Sequence, residues 1–267
     1  MTKIIHKQLS YTVRGVLIHV HNTLGPNLPE HFYQDATALG LEAEGVRCET
    51  EKVFEVYYRD VRVGRYRVDV WIEDGKIVLE LKVAPEILPL HRAQAISYLK
   101  VTDADLAIVV SFGAKSLLDE RLPNFLRDKT VSFEWEKRPV VEDILYPELT
   151  NRLFELLHRV HFTLGPGFFH QVYRRATMVE LDHQGLTYEY IKQLPIYYQG
   201  HCLGTQPVRL IRVDDGSAKM LLATIAVKRM DEAMQAQLRA RLKHLGMKLG
   251  LLANFNGTTL QVKPVRV

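Results

Sequence analysis

Two tandem α/β units, each a mixed central sheet flanked by helices, are what this sequence predicts, on three observations. The chain repeats itself at an offset of about 140 residues, and each copy reads helix, helix, antiparallel strands, helix, strand. In the first copy alone, charged residues interrupt a strand that should be wholly apolar.

The repeat is direct. VHNTLGPNLPEHFYQDAT (Val20–Thr37) is answered by VHFTLGPGFFHQVYRRAT (Val160–Thr177), sharing V-H-x-T-L-G-P, the Tyr and the final A-T. The same offset pairs Val56–Gly64 with Ile196–Gly204, and one of about 143 pairs QAISYLK (Gln94–Lys100) with QLRARLK (Gln237–Lys243). Each copy closes on an apolar stretch, ADLAIVVSFG or MKLGLLANFN. Between them, WEKRPVVEDILYPE loses periodicity and reads as a linker, which divides the chain into residues 1–138 and 139–267.

Within the first copy, Val13, Val16, Leu17, Val20 and Leu24 fall on one face of a helix over about 11–24, ended by Gly25-Pro26. A second helix begins near Pro29, a residue suited to a first turn, and stops before Gly45. Strands follow at about 47–58, 61–72 and 76–83, with hairpin signals at Arg59-Asp60 and Asp74-Gly75. A helix over 90–100 and a buried strand at 106–112 complete the unit.

Composition fits a soluble globular protein. Apolar residues are 47% and charged ones 25%, and no apolar run approaches the roughly 18 residues that span a bilayer. The first residues lack the apolar core and cleavage site of a secretory signal, so a cytoplasmic location is expected. Cys48 and Cys202 are too few for a zinc cluster or disulfide scaffold. Net charge is +4, with 19 Lys and Arg against 20 Asp and Glu over residues 1–140 and 16 against 11 over residues 141–267. The basic surplus sits in the second half, which tolerates a nucleic-acid partner without demanding one.

The chemistry concentrates on two strands. Alternation along Val61–Trp71 puts Arg65, Arg67 and Asp69 on one face, with Tyr66, Val68 and Val70 on the other. On IVLELKV, Glu80 and Lys82 interrupt an apolar strand, and burying such charges costs several kcal/mol unless they pair or bind a metal. A hairpin through Asp74-Gly75 brings Asp69 alongside Glu80, and two adjacent carboxylates suit a hard cation such as magnesium or manganese. A structural ion-pair network is the bland alternative. His21 persists as His161 in the copy that lacks the other site residues, so both read as structural, while His91 is lost there and has an accessory role open to it.

N-L-P-E-H-F-Y, D-x10-E-x-K and Q-x3-Y together resemble the GxxExxY proteins, a branch of the PD-(D/E)XK nuclease superfamily related to RecB-type exonucleases; the resemblance covers nearly all of residues 10–113. It implies Asp69 and Glu80 as metal ligands, Glu30 as a further ligand or contact to metal-bound water, and Lys82 as the group that orients the attacking water. Gln94 and Tyr98 would help position the nucleic acid and the lysine. Asn27 replaces the first Gly of the family pattern, and Asn tolerates left-handed backbone. Pro29 directly before Glu30 is a second departure, one that bears on where the helix starts.

In the second copy the aligned positions hold His170, Arg209, and approximately Thr224 and Ala226, the last two loose by a residue, so no carboxylate survives and this copy is expected to be catalytically dead. The expectation is a Mg2+- or Mn2+-dependent nuclease with one site, acting on nucleic acid, DNA ahead of RNA. The chain would be a monomeric pseudo-dimer or a homodimer. Arg65, Arg67, Arg209, Lys228 and Arg229 are candidate phosphate contacts. The competing expectation is a non-catalytic nucleic-acid-binding or scaffolding protein derived from a nuclease.

Overall fold

Val13, Val16, Leu17 and Val20 form one buried stripe along α1 (Lys7–Leu24), as their spacing requires. In the computed structural model, which describes residues 5–124, 132–135 and 144–267, this helix opens the first unit. The boundary expected at residues 138–139 lies outside the described residues.

The first unit continues with α2 (Glu30–Ala43), β1 (Cys48–Tyr58), β2 (Val61–Ile72), β3 (Ile77–Lys82), α3 (Pro89–Thr102), β4 (Leu106–Ser111) and β5 (Leu118–Pro123). Its sheet runs β1-β2-β3-β4-β5. β2 and β3 are antiparallel, β3 and β4 are parallel across the α3 crossover, and β5 returns antiparallel. Pro29 is the N-cap of α2, outside the first turn, so the helix starts at Glu30 itself. Asn27 takes the left-handed conformation with φ 68°, and Arg59 and Asp60, both at positive φ, make the tight turn between β1 and β2. β5 was not anticipated: LDERLP carries three charges in six residues, which an edge strand tolerates because one of its sides has no ladder to satisfy.

Both faces of the sheet are covered. α1 and α2 lay Leu17, Val20, Tyr33 and Leu41 on Val70, Ile72, Leu79, Leu81, Ile108 and Val110. α3 lays Ala95 and Leu99 on Val68, Val78, Ala107 and Val109. Such two-sided cover is why β3 and β4 read as continuous apolar runs. The end of β3 is held tightly: Ser111 Oγ donates to Ala84 O at 2.6 Å and accepts from Ala84 N at 3.1 Å. A Cβ on Gly113 would stand 2.4 to 2.6 Å from the Ala84 backbone. Gly113→Ala is therefore expected to cost about 1–3 kcal/mol, read as a lowered urea midpoint with unchanged slope.

The alternation expected along β2 breaks. Tyr66 and Val68 pack with Trp71 on the α3 side, whereas Val70 and Ile72 face α1 and α2. On the neighbouring β1, Glu51 stands at φ 57°.

The second unit repeats the order: α4 (Pro147–Leu164), α5 (His170–His183), β6 (Thr187–Tyr198), β7 (His201–Asp214), β8 (Lys219–Ile225), α6 (Glu232–His244), β9 (Leu249–Asn254) and β10 (Gln261–Arg266), with sheet order β10-β9-β8-β7-β6. Residues 165–167 belong with the first unit and residues 58–63 with the second. The repeat extends to single bonds. Tyr33 stacks on Phe112 with ring centroids 4.3 Å apart, and Tyr173 on Phe255 at 4.5 Å. His21 Nε2 meets Ala114 O at 3.0 Å, and His161 Nε2 meets Gly257 O at 2.9 Å. Both histidines are thus tied to a loop carbonyl.

Candidate active site

The site begins with a tyrosine clamp. Tyr33 donates to Gly25 O at 2.6 Å and accepts from Leu28 N at 3.0 Å, which pins the turn entering α2 and places Glu30 at the helix start. One turn on, Gln34 donates to Asp69 O at 2.7 Å and to Glu51 Oε1 at 3.0 Å, tying α2 to β2 and β1.

On the sheet, Val70 pairs with Leu79, so Asp69 and Glu80 are the next residues along the two strands. The Leu81 amide donates to Asp69 Oδ2 at 2.7 Å. Glu80 is 3% exposed and forms an ion pair with Lys82, whose Nζ also donates to Leu81 O at 2.9 Å. From α3, Tyr98 donates to Glu80 Oε1 at 3.4 Å; from β2, Tyr66 donates to Glu80 Oε2 at 3.5 Å, its ring stacked on Tyr98 with centroids 4.0 Å apart.

The electrostatics describe a site short of positive charge. Burial, then the charge of Glu80, pushes Asp69 up to about 8, against the Leu81 amide and Lys82. Burial also raises Glu80, with Lys82 the main opposing influence. For Lys82, burial works to lower the pKa, but Glu80, Asp69 and Glu30 outweigh it and keep the ammonium charged. Glu30 adds repulsion to both carboxylates. A buried and a part-buried carboxylate that repel each other, served by one lysine, fit a divalent cation bound through oxygen. Among the described residues no three His, Cys, Asp or Glu side chains form a complete cage. Water and phosphate oxygens would have to complete the coordination, as is usual for magnesium.

Of the other sequence-predicted residues, Gln94 lies one turn before Tyr98 on α3. Its Cγ and the Tyr98 ring stand against residue 167, where a Cβ would lie 3.1 Å from Gln94 Cγ and 3.3 Å from Tyr98. Arg65 and Arg67 are exposed and do not share a face with Asp69 in the way expected; Arg67 Nε pairs with Glu51 Oε2 at 2.6 Å. His91 accepts from the Leu88 amide at 3.2 Å and caps α3. Gln34 and Tyr66 were missed. Gln34 could have been found, since it lies four residues after Glu30 and therefore on the same helix face.

The family is decided by both copies at once. A model of the PD-(D/E)XK nuclease superfamily matches residues 7–121 and again residues 147–267. The chain belongs to that superfamily. Its members are generally divalent-metal-dependent nucleases acting on nucleic acid. No curated protein is similar enough to count as a match. Among solved structures the chain is similar to SSO0001, at 20% identity and a TM-score of 0.27 over 44% of this chain, and the match spans about three fifths (61%) of that protein's length.

Strand register refines the comparison between copies. Val70 and Ile211 occupy equivalent rungs opposite Leu79 and Leu222, so Leu210, not Arg209, answers Asp69. Arg209 is an extra residue at φ 53°, in an irregularity between Leu210 and Pro207 of the β6–β7 ladder. Lys82 pairs with Ser111 and Ile225 with Asn254, and these two partners bond the Ala84 and Val227 amides alike. Ala223 and Ile225 therefore answer Glu80 and Lys82, one residue earlier than the alignment of Thr224 and Ala226 suggested. Leu210, Ala223 and Ile225 all pack in one apolar cluster with Leu238 and Leu242 of α6. Lys228 and Arg229 line a cavity of about 690 Å³ with Trp135, Phe154, His158 and Lys263. No described helix is long and apolar enough to cross a membrane.

Proposed function

We propose that this PD-(D/E)XK chain is a Mg2+- or Mn2+-dependent nuclease of GxxExxY type, hydrolysing phosphodiesters, in DNA ahead of RNA, at a single site in its first copy. The observation that carries the reading is the adjacent pair of carboxylates, part-buried Asp69 and buried Glu80, beside a charged lysine. When bound between them, the metal supplies Lewis acidity to the phosphate and a water of lowered pKa. Asp69 is oriented for that task by the Leu81 amide, and Glu80 by Tyr66 and Tyr98. Lys82 holds Glu80 and carries the positive charge that steadies the developing phosphorane. Glu30, whose charge bears on both carboxylates, would contact metal-bound water. Gln94 and Tyr98 position substrate and lysine. The second copy, with Leu210, Ala223 and Ile225 at the corresponding positions, has no group to hold a metal and serves instead through its basic surface.

The test is cleavage of end-labelled single- and double-stranded DNA and RNA with magnesium, manganese or EDTA, by wild type, Asp69→Asn and Lys82→Ala. Metal-dependent cutting lost in both variants is the expected result. A wild type that binds but never cuts with any metal overturns the reading in favour of a nuclease-derived binding protein.

Gly167 provides a second check on Gln94 and Tyr98. At φ 113° it occupies backbone that a residue with a Cβ adopts only under strain, and the added methyl would press on both side chains. Gly167→Ala is expected to slow cleavage several-fold while leaving metal affinity, measured by titration calorimetry, unchanged.

A further inference from the structure

The start of α5 answers the start of α2, but its charge is inverted. His170 stands where Glu30 stands, and Arg174 where Gln34 stands. Arg174 is only 7% exposed, yet its Nε has no hydrogen-bond acceptor. Its guanidinium lies 5.3 Å over the Tyr190 ring and hydrogen-bonds that side chain, and the other charges that bear on it are Arg209 and Arg175. Arg209 Nη1 reaches to 3.5 Å from His170 Nε2. Burial, then the charges of Arg174 and Arg209, holds the His170 imidazole below its ordinary range, so it is neutral and able to donate without adding charge. Neither Arg174 nor Arg209 has an ion pair among the described residues. Phe169, the N-cap of α5, brings no side-chain acceptor to the first turn.

A buried guanidinium with an open N–H, facing a second cation and no carboxylate, lacks a counter-ion. The helix start adds positive potential of the same sense. We propose that His170, Arg174 and Arg209 form a phosphate-binding site that grips a phosphodiester of a nucleic-acid strand. The proposal deepens the nuclease reading and rests on it only for the choice of nucleic acid as ligand. In one copy the site cleaves; in the other, the Glu30 carboxylate that would repel phosphate is replaced by the neutral His170 and Gln34 by the cationic Arg174, with Arg209 added beside them, while Leu210, Ala223 and Ile225 leave no place for a metal.

The experiment is fluorescence anisotropy of labelled oligonucleotides at several salt concentrations, in EDTA so that cutting is silent, with inorganic phosphate as competitor. Wild type is compared with Arg174→Gln, which installs the side chain of the first copy, and Arg209→Ala, at an exposed position. Each variant is expected to bind about 10-fold more weakly, with a salt slope shallower by about one, and millimolar phosphate is expected to compete in wild type. Unchanged affinity and slope in Arg209→Ala overturn the proposal, whether or not Arg174→Gln folds. So does phosphate binding that both variants lose while oligonucleotide affinity stays constant, since the site would then serve free phosphate. Absence of cutting in magnesium, with binding in EDTA still dependent on these residues, would remove the nuclease reading and leave this site standing.

Discussion

Asp69→Asn is expected to abolish metal-dependent cleavage and, in the same protein, to make the metal-free chain harder to unfold. Both effects come from one cause. Asp69 is part-buried beside Glu80 and feels Glu30 as well, which pushes its carboxyl up to about 8, so near neutral pH the folded chain must take up a proton there or hold a repelled charge, a cost that a cation relieves. Asn keeps the shape and can still accept from the Leu81 amide, the bond Asp69 makes at 2.7 Å, but it brings no charge. Removing the repulsion should raise the metal-free melting temperature by a few degrees, on a scale of about 2–4 °C per kcal/mol for a chain of this size. Removing the ligand should lower cleavage by a factor on the order of 10²–10³ or more, the range typical of losing a group that stabilises charge in the transition state. Differential scanning calorimetry with and without manganese separates the two. Wild type should gain stability with metal in proportion to the logarithm of its concentration, and Asp69→Asn should not. A variant that is less stable than wild type without metal would mean that the Asp69 charge is satisfied by the protein itself.

The largest expected loss of stability lies in the second unit, at Glu180. This carboxylate is 1% exposed and sits among donors: Tyr58 Oη at 2.7 Å, Arg59 Nε at 2.5 Å, Gln184 Nε2 at 3.2 Å, and Arg159 Nε at 3.6 Å. Burial works to raise its pKa, but the bonds to Arg59, Tyr58 and Gln184 prevail and hold it below the usual carboxylate range. Glu180→Ala would leave two guanidinium groups and a buried phenol without their common acceptor. Removing one partner of a buried pair costs about 3–5 kcal/mol, and because Arg59 and Arg159 keep about a third of their side-chain surface in water, the lower end of roughly 2–3 kcal/mol is expected. Urea denaturation measures it. Glu180→Gln, which retains the shape and can accept from one donor, should fall between. Equal stability of Glu180→Ala and wild type would show that water replaces the carboxylate at no cost.

Much of this protein was legible from residue order. The duplication was plain because both copies keep the residues that fold them: the Tyr33 and Tyr173 clamps, the stacked Phe112 and Phe255, and the His21 and His161 loop ties are the same bonds made twice. Glu80 and Lys82 announced themselves by standing in a strand that is otherwise apolar and buried on both sides. Those signals are local, and local spacing carries them.

What spacing could not carry was the register between strands. An irregularity moves every following side chain to the other face, and Arg209, a non-glycine residue at positive φ, marks one such place. The break in alternation along β2 leaves Tyr66 against Glu80, and the extra residue at Arg209 puts Leu210 where Arg209 had been aligned. The sequence alone therefore determined the two copies, their element order up to the last strand of each, and the charged groups of the first site, because these follow from residue type and period. Which side chains meet, that Arg67 is taken by Glu51, that Gln34 ties the helix to Asp69, and that Arg174 is buried with an open N–H, was decided by the tertiary structure, since only long-range pairing fixes which face a residue presents.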